Sequence, residues 1–244
     1  MSEPYSINIH DLPAVANVCN QILREAIKLK DVSIAHVRMN PNDISLLHSH
    51  KKLTEIYYIL NGEGTMYYGN KAISAGKNYS LIIPPDIPHK LRNLNGGFLE
   101  HLVFSVPPFD NEDIRLLDEK SDVTPIENLK KDSKPIISMD GALVHELLSK
   151  EEQSKLGIEL AYGILEPQKK ATRHMHKISE EVYYIISGEG KAVVGDKAFD
   201  ARQDIIIYVP TDTFHGLENQ SSEKLEVLCL SSPPYTDEDF IIER

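Results

Sequence analysis

Two histidines one residue apart, His48-Ser49-His50, precede Glu55 and His89, and His174-Met175-His176 precede Glu181 and His215 in the same order. Imidazole nitrogens and carboxylate oxygens are borderline to hard donors. The chemistry open to such a set is the holding of a divalent transition metal, Fe, Mn, Ni, Co or Zn, and the spacing does not rank these. In a strand, residues i and i+2 face the same way, so His48 and His50 would enter one interior, as would His174 and His176. Glu55 with His89, and Glu181 with His215, must then arrive from neighbouring strands to complete a shell. A single His-x-His is more often incidental than a ligand pair, so the weight falls on the recurrence.

That recurrence belongs to a repeat of the whole chain. An offset of 126 residues carries His48 onto His174, Glu55 onto Glu181, Tyr57-Tyr58 onto Tyr183-Tyr184, and Gly62-Glu63-Gly64 onto Gly188-Glu189-Gly190. It carries Asp86 onto Asp212, His89 onto His215, Asn93 onto Asn219, and the exits Pro107-Pro108-Phe109 and Glu112-Asp113 onto Pro233-Pro234-Tyr235 and Glu238-Asp239. Repetition without insertion over such a length marks a duplicated domain. The charged, proline-bounded stretch from Asp110 to about Pro135 reads as a linker with room for one short helix. The boundary is placed near Asp122, giving domains 1–121 and 122–244.

The elements that must position these residues read as short strands. EIYYIL and EVYYII are rich in β-branched and aromatic residues and end at Gly-Glu-Gly turns, and SLIIP and IIIYVP stop at proline. An all-β domain of closely spaced strands is expected in each half, with a further helix possible over Pro13 to Leu29. Alternation puts Tyr57 and Tyr183 on the face of the glutamates, where they would line the pockets. His101 stands opposite Val227 in the repeat and Cys229 opposite Val103, and both read as core residues.

HSHKKLTEIYYILNG followed by PPDIPHKLRN resembles the paired motifs of the cupin superfamily, and HMHKISEEVYYIISG followed by PTDTFHGLEN resembles them again. The resemblance covers nearly all of the chain outside the linker and the N-terminal segment. It implies two tandem double-stranded β-helix (jelly-roll) barrels, a bicupin, each with an internal pocket. It also implies one metal per domain, on His48, His50, Glu55 and His89 and on His174, His176, Glu181 and His215. Glu181 rather than Glu180 is the implied ligand, because only Glu181 keeps the family spacing to Gly188 and the repeat partner Glu55; Glu180 should face away. Asp86 and Asp212 stand where the family has glycine, in a turn that aspartate can make by visiting left-handed geometry.

Composition narrows the partners. A chain of 244 residues with 41% hydrophobic and 26% charged residues can bury a core. A formal net charge of −11 disfavours nucleic acid and anionic membrane surfaces. A small-molecule substrate is the remaining default. No basic region followed by an apolar stretch opens the chain, so a cytoplasmic protein is expected. Cys19 and Cys229 are the only cysteines and read as reduced, buried thiols. Two fused barrels would make a monomer self-sufficient, with a homodimer also open.

The expected function is that of a metal-dependent enzyme acting on a small metabolite. Four protein ligands on an octahedral ion leave two positions for water, dioxygen or a chelating substrate, which ranks an iron oxygenase of the dioxygenase type first. A redox-neutral isomerase, lyase or decarboxylase comes next and requires an acid or base beside the metal, which the sequence does not identify. A metal-held pocket that binds a metabolite without turnover is the third reading.

Overall fold

A computed structural model describes residues 3–94, 96–118, 124–125 and 135–243. The chain divides into two compact units, one of residues 12–131 and one of residues 132–244 together with 1–11. The boundary near Asp122 lies outside the described residues. Residues 1–11, expected in the first domain, belong to the second unit, where their strand, Tyr5–Asn8, is paired antiparallel with Ile205–Val209.

In the first unit one sheet has the order Ile114–Leu116, His48–His50, His89–Asn93, Glu63–Tyr68, Lys71–Gly76 and Thr124–Pro125. The other runs Val15–Ala16, Ile22–Lys28, Ser33–Met39, Leu99–Val106, Thr54–Asn61 and Ser80–Ile83. The chain crosses from sheet to sheet several times, as from His48–His50 to Thr54–Asn61 and from Ser80–Ile83 to His89–Asn93, and the residues facing inward form one apolar core that includes Val37, Ile59, Met66, Ile73, Leu91 and Leu99. Each such side chain contributes about 1.5–3 kcal/mol by leaving water.

The second unit repeats this plan. His174–His176 lies between His215–Asn219 and Phe240–Ile242 in one sheet, and Glu180–Ser187 lies between Ile205–Val209 and Leu225–Ser232 in the other. Its core holds Ile185, Ala192, Val194, Ala201, Ile207 and Leu225. The all-β, two-barrel expectation is met in both units.

The Gly-Glu-Gly turns explain why the strands on either side can close so tightly. Gly188 has φ +87°, and a Cβ there would lie 2.3 Å from the Lys224 carbonyl oxygen; Gly62 has φ +82° and would meet the Phe98 carbonyl at 2.5 Å. Both positions demand left-handed backbone and leave no room for a side chain. Asp86 and Asp212, in the family's other glycine position, take φ 64° and 55°, as their side-chain chemistry permits.

Two expectations are corrected. Pro13 to Leu29 is not helical: it contains Val15–Ala16 and Ile22–Lys28, joined through Asn20 at φ 60°. Ile22–Lys28 pairs along its length with Ser33–Met39, and that ladder outweighs a weak local helical pattern. Helix appears instead at Lys150–Leu156, started by a capping box of Ser149 and Glu152 and ended by Gly157 in left-handed geometry. Within the stretch read as a linker, the described residues form a short 3-10 turn, Asn111–Asp113, and the strand Ile114–Leu116. Among the described residues no helix is long and apolar enough to cross a membrane.

Candidate metal centres

In each unit the three histidines come from one sheet and the glutamate from the sheet facing it. His48 and His89 are direct cross-strand partners, as are His174 and His215. Glu55 and Glu181 are carried in by Thr54–Asn61 and Glu180–Ser187. The ligand atoms of His48, His50, Glu55 and His89 all lie within 4.8 Å of one another, and so do those of His174, His176, Glu181 and His215; all eight side chains are buried.

The ring orientations are set by the backbone. Nδ1 of His48 lies 2.8 Å from the Leu46 carbonyl, and Nδ1 of His89 lies 2.9 Å from that of Ile87. His174 and His215 repeat the contact with the carbonyls of Thr172 at 2.9 Å and Thr213 at 2.8 Å. A carbonyl can only accept, so the proton sits on Nδ1 and the Nε2 lone pair is turned inward, the tautomer a metal requires.

The third histidine of each set is backed by an acid. Nδ1 of His50 is 3.6 Å from Asp113 Oδ2, and Nδ1 of His176 is 3.6 Å from Asp239 Oδ2. Asp239 also accepts from the Ile178 and Ser179 amides at 2.7 and 3.3 Å and from the Ser179 hydroxyl at 2.8 Å. Asp113 holds the Lys52 and Leu53 amides in the same way. In the sequence Asp113 and Asp239 match only as domain exits, and that repetition is the available signal for this role.

Electrostatics agree with ligand function. Burial would raise the Glu55 carboxyl, but the imidazoles of His50 and His89 beside it override that and hold the group well below the usual carboxylate range. Glu181 is held down likewise, by His176 and His215 against burial. Burial, assisted by His89, lowers His48 to about 4, which keeps its imidazole neutral at ordinary pH. Nε2 of His50 and of His176 is buried without a hydrogen-bond partner. Orphaned, inward-facing nitrogens next to an ionised carboxylate are what a bound cation would satisfy, so the donor set fits a divalent metal in each unit.

Each cluster opens on a cavity, about 420 Å³ in the first unit and about 410 Å³ in the second. Tyr57 and Tyr183 line them as expected, and the Tyr183 hydroxyl donates to Glu181 Oε2 at 3.0 Å. Glu180 turns away to accept from the Tyr208 hydroxyl at 2.7 Å. His101 is a core residue, fully buried and stacked on Tyr57. Cys229, expected in the core, packs against it while only partly buried and also lines the cavity wall, with Sγ 3.4 Å from Glu181 Oε1. Cys19 is buried, as expected, and lines the first cavity.

Comparison with known proteins agrees with this geometry. The cupin domain family matches residues 35–103 and 161–231, more than half of the chain and once in each unit. The chain belongs to the cupin family. An uncharacterized protein of Methanocaldococcus jannaschii is 37% identical over 106 residues, 43% of this chain and 85% of its own length. Among solved structures, a formate complex of Lactobacillus farciminis oxalate decarboxylase superposes with a TM-score of 0.74 at 17% identity, covering 99% of this chain and 89% of that one. Bacillus subtilis oxalate decarboxylase, described with Mn(II) centres, gives 0.71 at 16% identity over 97% and 78% of the two chains. At such identities the likeness establishes this cupin's two-barrel fold and leaves its substrate to be argued from the site.

Proposed function

We propose that this bicupin is a metal-dependent enzyme that rearranges or cleaves a small oxygen-rich metabolite without net oxidation, as an isomerase, lyase or decarboxylase. The observation that carries the reading is the buried three-histidine, one-glutamate set in each unit, opening on a cavity large enough for a metabolite. His48, His50, Glu55 and His89 would hold one ion, and His174, His176, Glu181 and His215 the other. A divalent ion so held supplies Lewis-acid polarisation of a carbonyl oxygen. The protein's own residues fix the donor geometry through the Nδ1 contacts, exclude bulk water and place the substrate.

Two observations put redox-neutral chemistry ahead of the oxygenase reading. The second cavity holds a buried carboxylate that is not among the clustered ligands, Glu159, which is the acid or base that such chemistry needs. The fold is also shared with enzymes named as decarboxylases, one of them described with manganese, which favours Mn among the candidate ions. Oxalate itself is a poor fit, because among the described residues no arginine lines either cavity to pair a dianion.

The test is to incubate metal-loaded and metal-free protein with a panel of hydroxy- and oxo-carboxylates, hydroxy ketones and aldoses, following products by NMR and dioxygen by electrode. Metal-dependent product without dioxygen uptake is expected. Dioxygen uptake stoichiometric with product would install the oxygenase reading, and tight binding without product would make the protein a binding module.

A further inference from the structure

In the row of cross-strand partners that carries the ligand glutamate, the two cavities differ at one position. In the second unit Glu159 is the cross-strand partner of Ser231, and Ser231 is the partner of Glu181. In the first unit the same row reads Ser33, Ser105 and Glu55. Residues directly opposite one another across neighbouring strands share a face, so Glu159 points to the side that Glu181 does. With strands about 4.8 Å apart, their Cα atoms are separated by about 10 Å, the width of a small metabolite between two carboxylates.

Glu159 is only 6% exposed and lines the second cavity, yet its Oε2 has no hydrogen-bond partner. Ser231, beside it, spends its hydroxyl on Glu181 Oε1 at 2.9 Å. Lys150, the cation that acts on Glu159, has its ammonium 2.7 Å from Glu146 Oε1 and 3.2 Å from Gln153 Oε1. Leaving a buried carboxylate oxygen unpaired forfeits its hydration without return, a cost a ligand can relieve. Ser33, the counterpart, has no such vacancy: its Oγ accepts from the Phe109 amide at 2.9 Å. Burial, reinforced by Glu146 and Glu181 and opposed by Lys150, raises the Glu159 carboxyl toward the range where it can both take and return a proton.

The charge around it also selects the ligand. Asp140, Glu146, Asp237 and Glu181 line this cavity with Glu159, and Lys150 is the one lining Lys or Arg among the described residues. Even with a divalent ion on Glu181, the remaining carboxylates outnumber Lys150, a balance that disfavours a dianion and suits an uncharged molecule rich in hydroxyl donors.

We propose that Glu159 is the catalytic acid–base residue of the second cavity, acting on an uncharged α-hydroxy carbonyl compound seated at His174, His176, Glu181 and His215, and that the first cavity lacks this activity. The proposal rests on the redox-neutral reading above. The Glu159 carboxylate takes the proton from the carbon next to the carbonyl. The C–H electron pair becomes a carbon–carbon double bond and the carbonyl π pair moves to its oxygen. Protonated Glu159 then delivers the proton to the former carbonyl carbon as a new carbonyl forms on its neighbour, whose hydroxyl proton passes to the first oxygen. No oxidant or co-reactant is consumed.

The test uses the full, metal-loaded chain as native protein, Glu159→Gln and Glu159→Asp. Metal content should be equal in all three. Dihydroxyacetone in D₂O should exchange its carbon-bound hydrogen with native protein and lose that exchange with His174→Ala. Exchange should fall at least about 100-fold in Glu159→Gln, with Glu159→Asp between. Oxalate, used as a dianionic probe that needs no turnover, should bind the second site at pH 8 at least about fivefold more tightly in Glu159→Gln than in native protein. Equal exchange or equal oxalate affinity in native protein and Glu159→Gln overturns the proposal, as does loss of metal from Glu159→Gln. Native protein that transforms nothing in the metabolite panel fails the enzymatic reading itself.

Discussion

Replacing Asp239 by alanine should uncouple the second metal centre from the loop that leads into its glutamate strand. The side chain is 4% exposed and accepts from the Ile178 amide, the Ser179 amide and the Ser179 hydroxyl while facing His176 Nδ1 at 3.6 Å. Three donors left without their acceptor at about 1 kcal/mol each give a loss of about 3 kcal/mol in the metal-free protein. Loss of the acid behind a ligating imidazole lowers metal affinity by about 10- to 100-fold, at the second site alone. Asp239→Asn keeps one oxygen for the amides, so it should recover much of the stability while the metal affinity stays low. Denaturant unfolding of metal-free protein gives the first quantity, and competition with a chelator, site by site, gives the second. The reasoning is refuted if Asp239→Ala is destabilised but binds the second metal within about twofold of the native protein, for then Asp239 only ties the loop.

Burial, aided by His36, lowers His101 to about 3, so the folded state keeps it neutral while the unfolded chain takes a proton below about pH 6.5. Stability is therefore lost as pH falls from about 6.5 toward 3, with about 2 kcal/mol gone by pH 5. That share of the pH 7 to 5 difference should vanish in metal-free His101→Val, and an unchanged difference would contradict it. At Gly188, where φ is +87° and the Lys224 carbonyl lies 2.3 Å from the Cβ position, alanine should cost more than about 2 kcal/mol in denaturant unfolding. A loss under about 0.5 kcal/mol would show that the turn can relax.

What the sequence made legible was whatever the two halves share. His48, His50, Glu55, His89 and their partners at an offset of 126 stand out because identity at fixed spacing is visible without a structure. The convergence of Glu55 with the histidines depends on two sheets facing each other, and no local pattern encodes that. Asp113 and Asp239 were visible as a repeated pair, but their place behind His50 and His176 follows from strands Ile114–Leu116 and Phe240–Ile242 lying against the His-x-His strands. Glu159 was hidden for the opposite reason: a serine stands in its place in the first half, and a search for repetition passes over differences. The segment Pro13 to Leu29 misled because an edge hairpin takes its strand character from the neighbour it pairs with, Ser33–Met39, rather than from its own residues. The placement of Tyr5–Asn8 beside Ile205–Val209 is likewise a long-range pairing with no local signal.

The central claim is that the chain holds two separate metal ions, one on each cluster. Mass spectrometry of metal in protein purified without added metal or a chelating tag, beside His48→Ala and His174→Ala, tests it most directly. Two equivalents of a divalent transition metal, falling to one in each variant, are predicted. No metal even after reconstitution, or loss of both ions on either substitution, would contradict the account.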